Sequence, residues 1–250
     1  MDGPGVAPFI YFKPMTLEKN LTATDLKLIA LFLMVLDHIR LFFSYAGLVP
    51  DWFMWLGRSS LPLFMFCLAE GFHHTRDRKR YLLRLFVAFL VMEISRLLLM
   101  SALPRPDGFA IANNIFGTMF LTASAIYCLD KLWLHRNDIG HLVLYSLSLF
   151  ILAPLTFFAE GGWFWVAMGV VLYYTRGNRL AQAIDYVAFS LLVWGMADSC
   201  QWMMIFAVFP MLLYGGKKGG GYKYLFYVFY PVHIWALYVL SAVFYERSAS

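Results

Sequence analysis

Asp37, His38, Arg40, Arg58, Glu93, Arg96 and His233 are ionisable residues set inside otherwise apolar runs. A histidine at such a place suits proton transfer, because its pKa lies near neutrality. An arginine is a fixed cation that can hold an acidic group or stabilise a developing oxyanion. Asp37 and Arg40 are three apart, as are Glu93 and Arg96, so each pair can share a helix face and neutralise itself. Asp37 and His38 are adjacent and point about 100° apart around a helix. Asp37 therefore orients a neighbouring helix or an arginine rather than sharing the direction of His38.

The elements that must position these groups are long and apolar. The chain has 250 residues, 61% hydrophobic and 14% charged, with a mean hydropathy of +0.66. Soluble domains carry roughly 25% charged residues, and this chain lacks the polar surface to cover a water-soluble globule. Apolar runs cover residues 25–45, 52–72, 81–103, 115–134, 141–159, 161–175, 183–199, 201–214 and 224–245. A membrane span needs about 20 residues. The pattern predicts an all-α, polytopic transmembrane bundle of about nine spans, residues 1–250 forming one unit with 1–24 as a cytoplasmic arm. The runs 161–175 and 201–214 are short, so they are expected to be re-entrant or tilted against a neighbour.

Basic residues set the orientation. Lys13, Lys19 and Lys27 lie at the N-terminal arm; Arg76, Arg78, Lys79, Arg80 and Arg84 at the second connection. Lys131 and Arg136 follow at the fourth, Arg176 and Arg179 at the sixth, and Lys217, Lys218 and Lys223 at the eighth. The opposite side holds only Arg105 and Arg247. This bias predicts a cytoplasmic N-terminus and a C-terminus outside. At 1.5 Å per residue, His38 then lies about 20 Å from the inner edge, Glu93 and Arg96 about 18–22 Å, and His233 about 14 Å. Arg58 lies about 9 Å below the outer surface. One buried polar cavity between midplane and outer leaflet would gather them, and ionisable groups at that depth are functional candidates. Plainer roles exist: Arg40 and Arg96 can snorkel to headgroups, and His38 can be an interhelical hydrogen-bonding residue.

Other signals are negative or bland. The basic residues sit in short loops, which gives no nucleic-acid role. Cys67, Cys128 and Cys200 form no C-x-x-C pair, so neither a disulfide framework nor a metal site is expected. No cleavable signal peptide is visible, and the first span would act as the insertion signal. Gly215 to Gly221, with Lys217 and Lys218, lacks the phosphate-loop order and reads as a flexible cytoplasmic loop. Neither G-x-S-x-G nor H-E-x-x-H occurs. His73 and His74 lie at the cytoplasmic edge, with Glu70 a turn before them.

Ordered motifs resemble the TraX family over nearly the whole chain. They are Asp25-Leu-Lys-Leu-Ile-Ala with Met34 and Asp37-His38-Ile39; Pro62-Leu-Phe with Ala69-Glu70-Gly71-Phe72; His74-Thr75-Arg76; and Arg80-Tyr81-Leu-Leu-Arg84-Leu. Glu93-Ile94, Asn114-Ile-Phe-Gly-Thr118 and Tyr227-Val-Phe-Tyr230-Pro231-Val-His233 follow. After Glu93-Ile94 the family tends to continue with Pro and an aromatic, where this chain has Ser95-Arg96, so Glu93 is the better site candidate of the two. The resemblance implies a bacterial inner-membrane acetyltransferase of the wider membrane acyltransferase class. Its donor would be acetyl-CoA and its acceptor the amine of a pilin or other peptide, or a hydroxyl. On that reading His38 is the general base, His233 a second acid/base group, Arg58 the oxyanion or acceptor cation, and Asp37 and Glu93 their support. Arg76, Arg78, Lys79 and Arg80, flanked by His74 and Glu70, would hold the CoA phosphates. The rival classes are a transporter or lipid-handling protein without chemistry, and a pilus-assembly scaffold.

Overall fold

The structure is a computed structural model that describes residues 20–112, 114–196, 200–220 and 222–249. The arm through Lys19, with Lys13, lies outside the described residues, as do residues 197–199 and the side chains of Lys223 and Arg247.

The described residues form helices and turns. Helix α1 (Ala23–Phe42) starts at a capping box, in which Thr22 and Asp25 satisfy each other's backbone N–H. A 3-10 turn (Ser44–Ala46) leads to α2 (Trp52–Gly57) and α3 (Ser60–His73), which form one pass broken at Arg58 and Ser59. Helix α4 (Arg78–Ala102) is capped by Asp77, α5 is Ile115–Leu134, and α6 (Ile139–Leu155) is capped by Asp138. A 3-10 turn (Thr156–Phe158), α7 (Gly162–Thr175) and α8 (Arg179–Met196) follow. A 3-10 segment (Cys200–Ala207) runs into α9 (Val208–Leu212), and α10 (Lys223–Ala249) contains Pro231.

Successive passes alternate in direction. Ser60 at the start of α3 reaches Ala30 and Cys67, midway along it, reaches Ala23 at the start of α1, and Arg78 at the start of α4 meets Asp130 late in α5. Glu70 at the end of α3 meets Arg179 at the start of α8, and Tyr186 in α8 donates to the Met204 carbonyl. Tyr238 in α10 reaches Leu103, just past α4.

Among the described residues, four helices are long and apolar enough to cross a membrane: Trp52–His73, Ile115–Leu134, Ile139–Phe158 and Tyr224–Glu246. Large apolar side chains face outward along α4, α6, α8 and α10, as a lipid environment requires. No residue of α6 is buried, so it lies at the periphery. The short apolar helices Gly162–Thr175 and Cys200–Leu212 are those the sequence marks as short. Helix α7 packs inside against α3 and α5, with Trp165, Met168 and Leu172 buried.

The glycine- and lysine-rich segment is not a loose loop. It straps the first turn of α1: Ala23 N–H donates to the Lys217 carbonyl at 2.8 Å, and Thr24 Oγ1 donates to the Lys218 and Gly220 carbonyls. Gly219 has φ +78° and sits where any Cβ would run into Thr22 and Thr24, so the backbone approach depends on glycine.

Candidate functional site

The site forms at the end of the bundle where α1 finishes and α3, α5 and α7 begin. His38 projects from the last third of α1, and His233 from α10 two residues after Pro231. Both are buried, at 3% and 8% exposure. Their rings stack at 5.1 Å, with His38 Nδ1 2.8 Å from His233 Nε2.

The tautomers follow from the partners. His233 Nδ1 lies 2.9 Å from the Phe229 carbonyl, which can only accept, so Nδ1 carries the proton. In the neutral ring His233 Nε2 then bears a lone pair and accepts from His38 Nδ1–H. That leaves His38 Nε2 as the bare nitrogen of the pair.

Arg58 stands at the break between α2 and α3. Its Nη2 is 3.3 Å from Asp37 Oδ1, and its Nη1 reaches Gln201 Oε1 at 3.4 Å. Asp37 Oδ1 and Arg58 Nε are buried without a hydrogen-bond partner among the described residues. Gly57 lets the two helices close: a Cβ there would collide with the Asp37 side chain. Arg40 pairs with Asp51 at 2.9 Å rather than with Asp37, because the turn after α1 brings Asp51 back beside it.

His38, Asp37 and Arg58 line one cavity of about 230 Å³, with Ser60, Trp165, Glu160, Gln201 and Tyr230 on its other walls. Glu93 is not among the lining residues. It pairs with Arg96 at 2.8 Å, as its spacing predicts, and accepts from Asn114 Nδ2 at 2.8 Å. Asn114 immediately precedes Ile115, whose N–H donates to the Tyr230 hydroxyl at 3.1 Å. Glu93 therefore braces the α4–α5 junction behind the cavity wall.

The residues expected to hold phosphates sit at the opposite end and are mostly engaged within the protein. Arg78 donates to Asp130 at 2.5 Å and to the Tyr173 hydroxyl at 2.8 Å, tying α4 to α5 and α7. Arg80 pairs with Asp77 at the surface. Glu70 is buried and pairs with Arg179 at 3.0 Å, with His74 at 3.9 Å on its other oxygen. Arg76 and Lys79 are exposed.

Tyr230, Glu160, Trp165, Gln201 and Ser60 are site residues that reading the sequence passes over. The signal for Tyr230 was its place in Tyr230-Pro231-Val-His233; Glu160 is an acid wedged between two apolar runs. The arrangement offers an imidazole nitrogen, a guanidinium and two carboxylates in one cavity, which suits proton transfer to and from a polar reactant.

No solved structure matches this chain. A probable fimbrial assembly protein FimC, serogroup H1, of Dichelobacter nodosus is 30% identical over 247 residues, covering 88% of this chain and 96% of that protein. The family model described as TraX protein matches residues 22–241, which include both histidines and every residue named on the cavity wall. The chain belongs to the TraX family.

Proposed function

We propose that this chain is a nine-span inner-membrane acetyltransferase with a cytoplasmic N-terminus. It would move an acetyl group from acetyl-CoA to the amine of a pilin or other peptide. The observation that carries this reading is the buried His38–His233 pair, of which His38 shares one cavity with the Arg58–Asp37 pair. Family membership and the fimbrial assembly relative support a role in pilus biogenesis. The alternating passes and the one-sided lysines and arginines support the crossings and their orientation.

In this mechanism His38 Nε2 accepts the proton of the attacking nitrogen and later delivers it to the departing sulfur. His233 fixes the His38 tautomer and stabilises the imidazolium through the Nδ1–H bond. Arg58 faces the oxyanion that develops as the thioester carbonyl is attacked. Exposed Arg76 and Lys79 are left to meet the donor's phosphates. A carrier or scaffold would also have a polar cavity, but a histidine pair ordered by a backbone carbonyl suits proton chemistry better than ion passage.

The test is transfer of radiolabelled acetyl from acetyl-CoA to the fimbrial subunit in membranes holding the full chain. Label at the subunit's amino terminus, lost with His38→Ala at equal expression, is the expected result. Normal pilus assembly by His38→Ala, with no label in the wild type, would establish the scaffold instead.

A further inference from the structure

An amino terminus must lose two protons to become an amide, whereas a hydroxyl loses one to become an ester. Its pKa is about 7.7–8.0, so at neutral pH it arrives mostly as an ammonium with no lone pair to attack. His38 presents one bare nitrogen and holds one proton at a time. Asp37 stands 3.3 Å from the Arg58 guanidinium and is committed to that ion pair.

Glu160 supplies what remains. It enters the same cavity from the connection between α6 and α7. Its backbone is anchored, since Thr118 Oγ1 donates to its carbonyl at 2.9 Å. Its carboxylate lies 3.5 Å from the Tyr230 hydroxyl, and the Tyr230 ring is 6.4 Å from that of His38. Among the described residues the cavity lining thus carries two carboxylates, Asp37 and Glu160, against one guanidinium, Arg58, a balance that favours a cation.

We infer that Glu160 receives the acceptor as an ammonium and takes its first proton, which selects amines over hydroxyls; this rests on the acetyl-transfer reading. The freed lone pair then forms the C–N bond at the thioester carbonyl, whose π electrons move to oxygen. His38 Nε2 takes the second proton from nitrogen. The oxyanion collapses, the C–S bond breaks, and His38 returns that proton to sulfur, giving free CoA thiol. Glu160 releases its proton to water, so one proton is produced per acetyl transferred.

The experiment uses the full chain in lipid nanodiscs, labelled acetyl-CoA, and a synthetic peptide copying the amino terminus of the host's fimbrial subunit. A second peptide carries a hydroxyl in place of that terminal amine. Glu160→Gln should lower transfer to the amine by about 10²-fold at pH 6 and about tenfold at pH 7, with the deficit gone by pH 9, where the amine is already neutral. Transfer to the hydroxyl peptide should match the wild type, and Glu160→Asp should keep the wild-type pH profile on the amine. A deficit that is independent of pH, equal on both peptides, or absent overturns the role of Glu160 while leaving acetyl transfer standing. A wild type that labels neither peptide removes the acetyl-transfer reading itself.

Discussion

His233 donates its Nδ1–H to the Phe229 carbonyl and so turns a bare Nε2 toward His38 Nδ1, 2.8 Å away. One backbone oxygen on α10 thereby decides which nitrogen of a histidine on α1 is available. His38→Ala should insert normally and lose transfer by about 10² to 10⁴-fold, the usual worth of a general base. His38→Gln should fail similarly, because an amide cannot take the proton. His233→Ala should cost less, about 10-fold, since His38 keeps its base but loses tautomer control. Label transfer at matched protein levels measures all three, and a fully active His38→Gln would make His38 a hydrogen-bonding residue only.

Asp37 and Arg58 behave as a unit. Removing either leaves its partner's buried atoms uncompensated, so Asp37→Asn and Arg58→Met should each reduce thermal stability in detergent. The double variant should recover about 1–3 kcal/mol of the summed loss, the size of coupling seen between residues in contact. Additive losses would mean that the 3.3 Å approach contributes no coupling.

Arg78 and Lys79 are adjacent but separable. Arg78→Gln breaks the contacts to Asp130 and Tyr173 and should destabilise the bundle by about 1–3 kcal/mol without changing the KM for acetyl-CoA. Arg76→Gln with Lys79→Gln should leave stability alone and raise that KM. The opposite pattern would return Arg78 to the donor site.

Arg105 and Asp107 form a clamp on the connection between α4 and α5. Arg105 also donates to the Phe42 carbonyl and to Ser241 Oγ, pinning the connection to the ends of α1 and α10. Hydrogen bonds from Arg105 hold the Asp107 carboxyl below the usual carboxylate range. The clamp's contribution is complete above about pH 4, the unfolded value, and is lost as pH falls through the lower folded value. Proteolysis of the connection should therefore increase only in strong acid in the wild type. Asp107→Asn should show the same susceptibility at neutral pH; an equally resistant variant would remove the clamp.

The C-terminal Tyr245 and Glu246 should face the outside. A reporter active only in the cytoplasm, fused after Ser250, should be silent. Activity there would reverse the orientation of α10.

Much of this arrangement was legible in the sequence, and the boundary has a physical cause. Position along a helix fixes depth, so counting residues brought His38, Arg58 and His233 to one level, where the cavity collects His38 and Arg58 and His233 backs them. Rotation about the helix axis and the choice among neighbours depend on packing, which counting does not reach. Hence Asp37 meets Arg58 rather than Arg40, and Glu93, at the right depth, lies behind Tyr230. Arg78 reads as a surface cation until Asp130, far along the chain, neutralises it. Glu160 belongs to a connection, and the contacts of connections are the least determined by local pattern.

The strap of Lys217 to Gly220 across the first turn of α1 has a consequence for biogenesis. Helix α1 leaves the ribosome before the segment that fastens its N-terminal turn has been made, and His38 waits for α10. During translation α1 must lodge in the bilayer with Asp37 and His38 lacking their final neighbours. Ribosome-bound chains stopped before Tyr222 should be inserted but lack both the strap and the His38–His233 pair, so the site is assembled only once α10 is made.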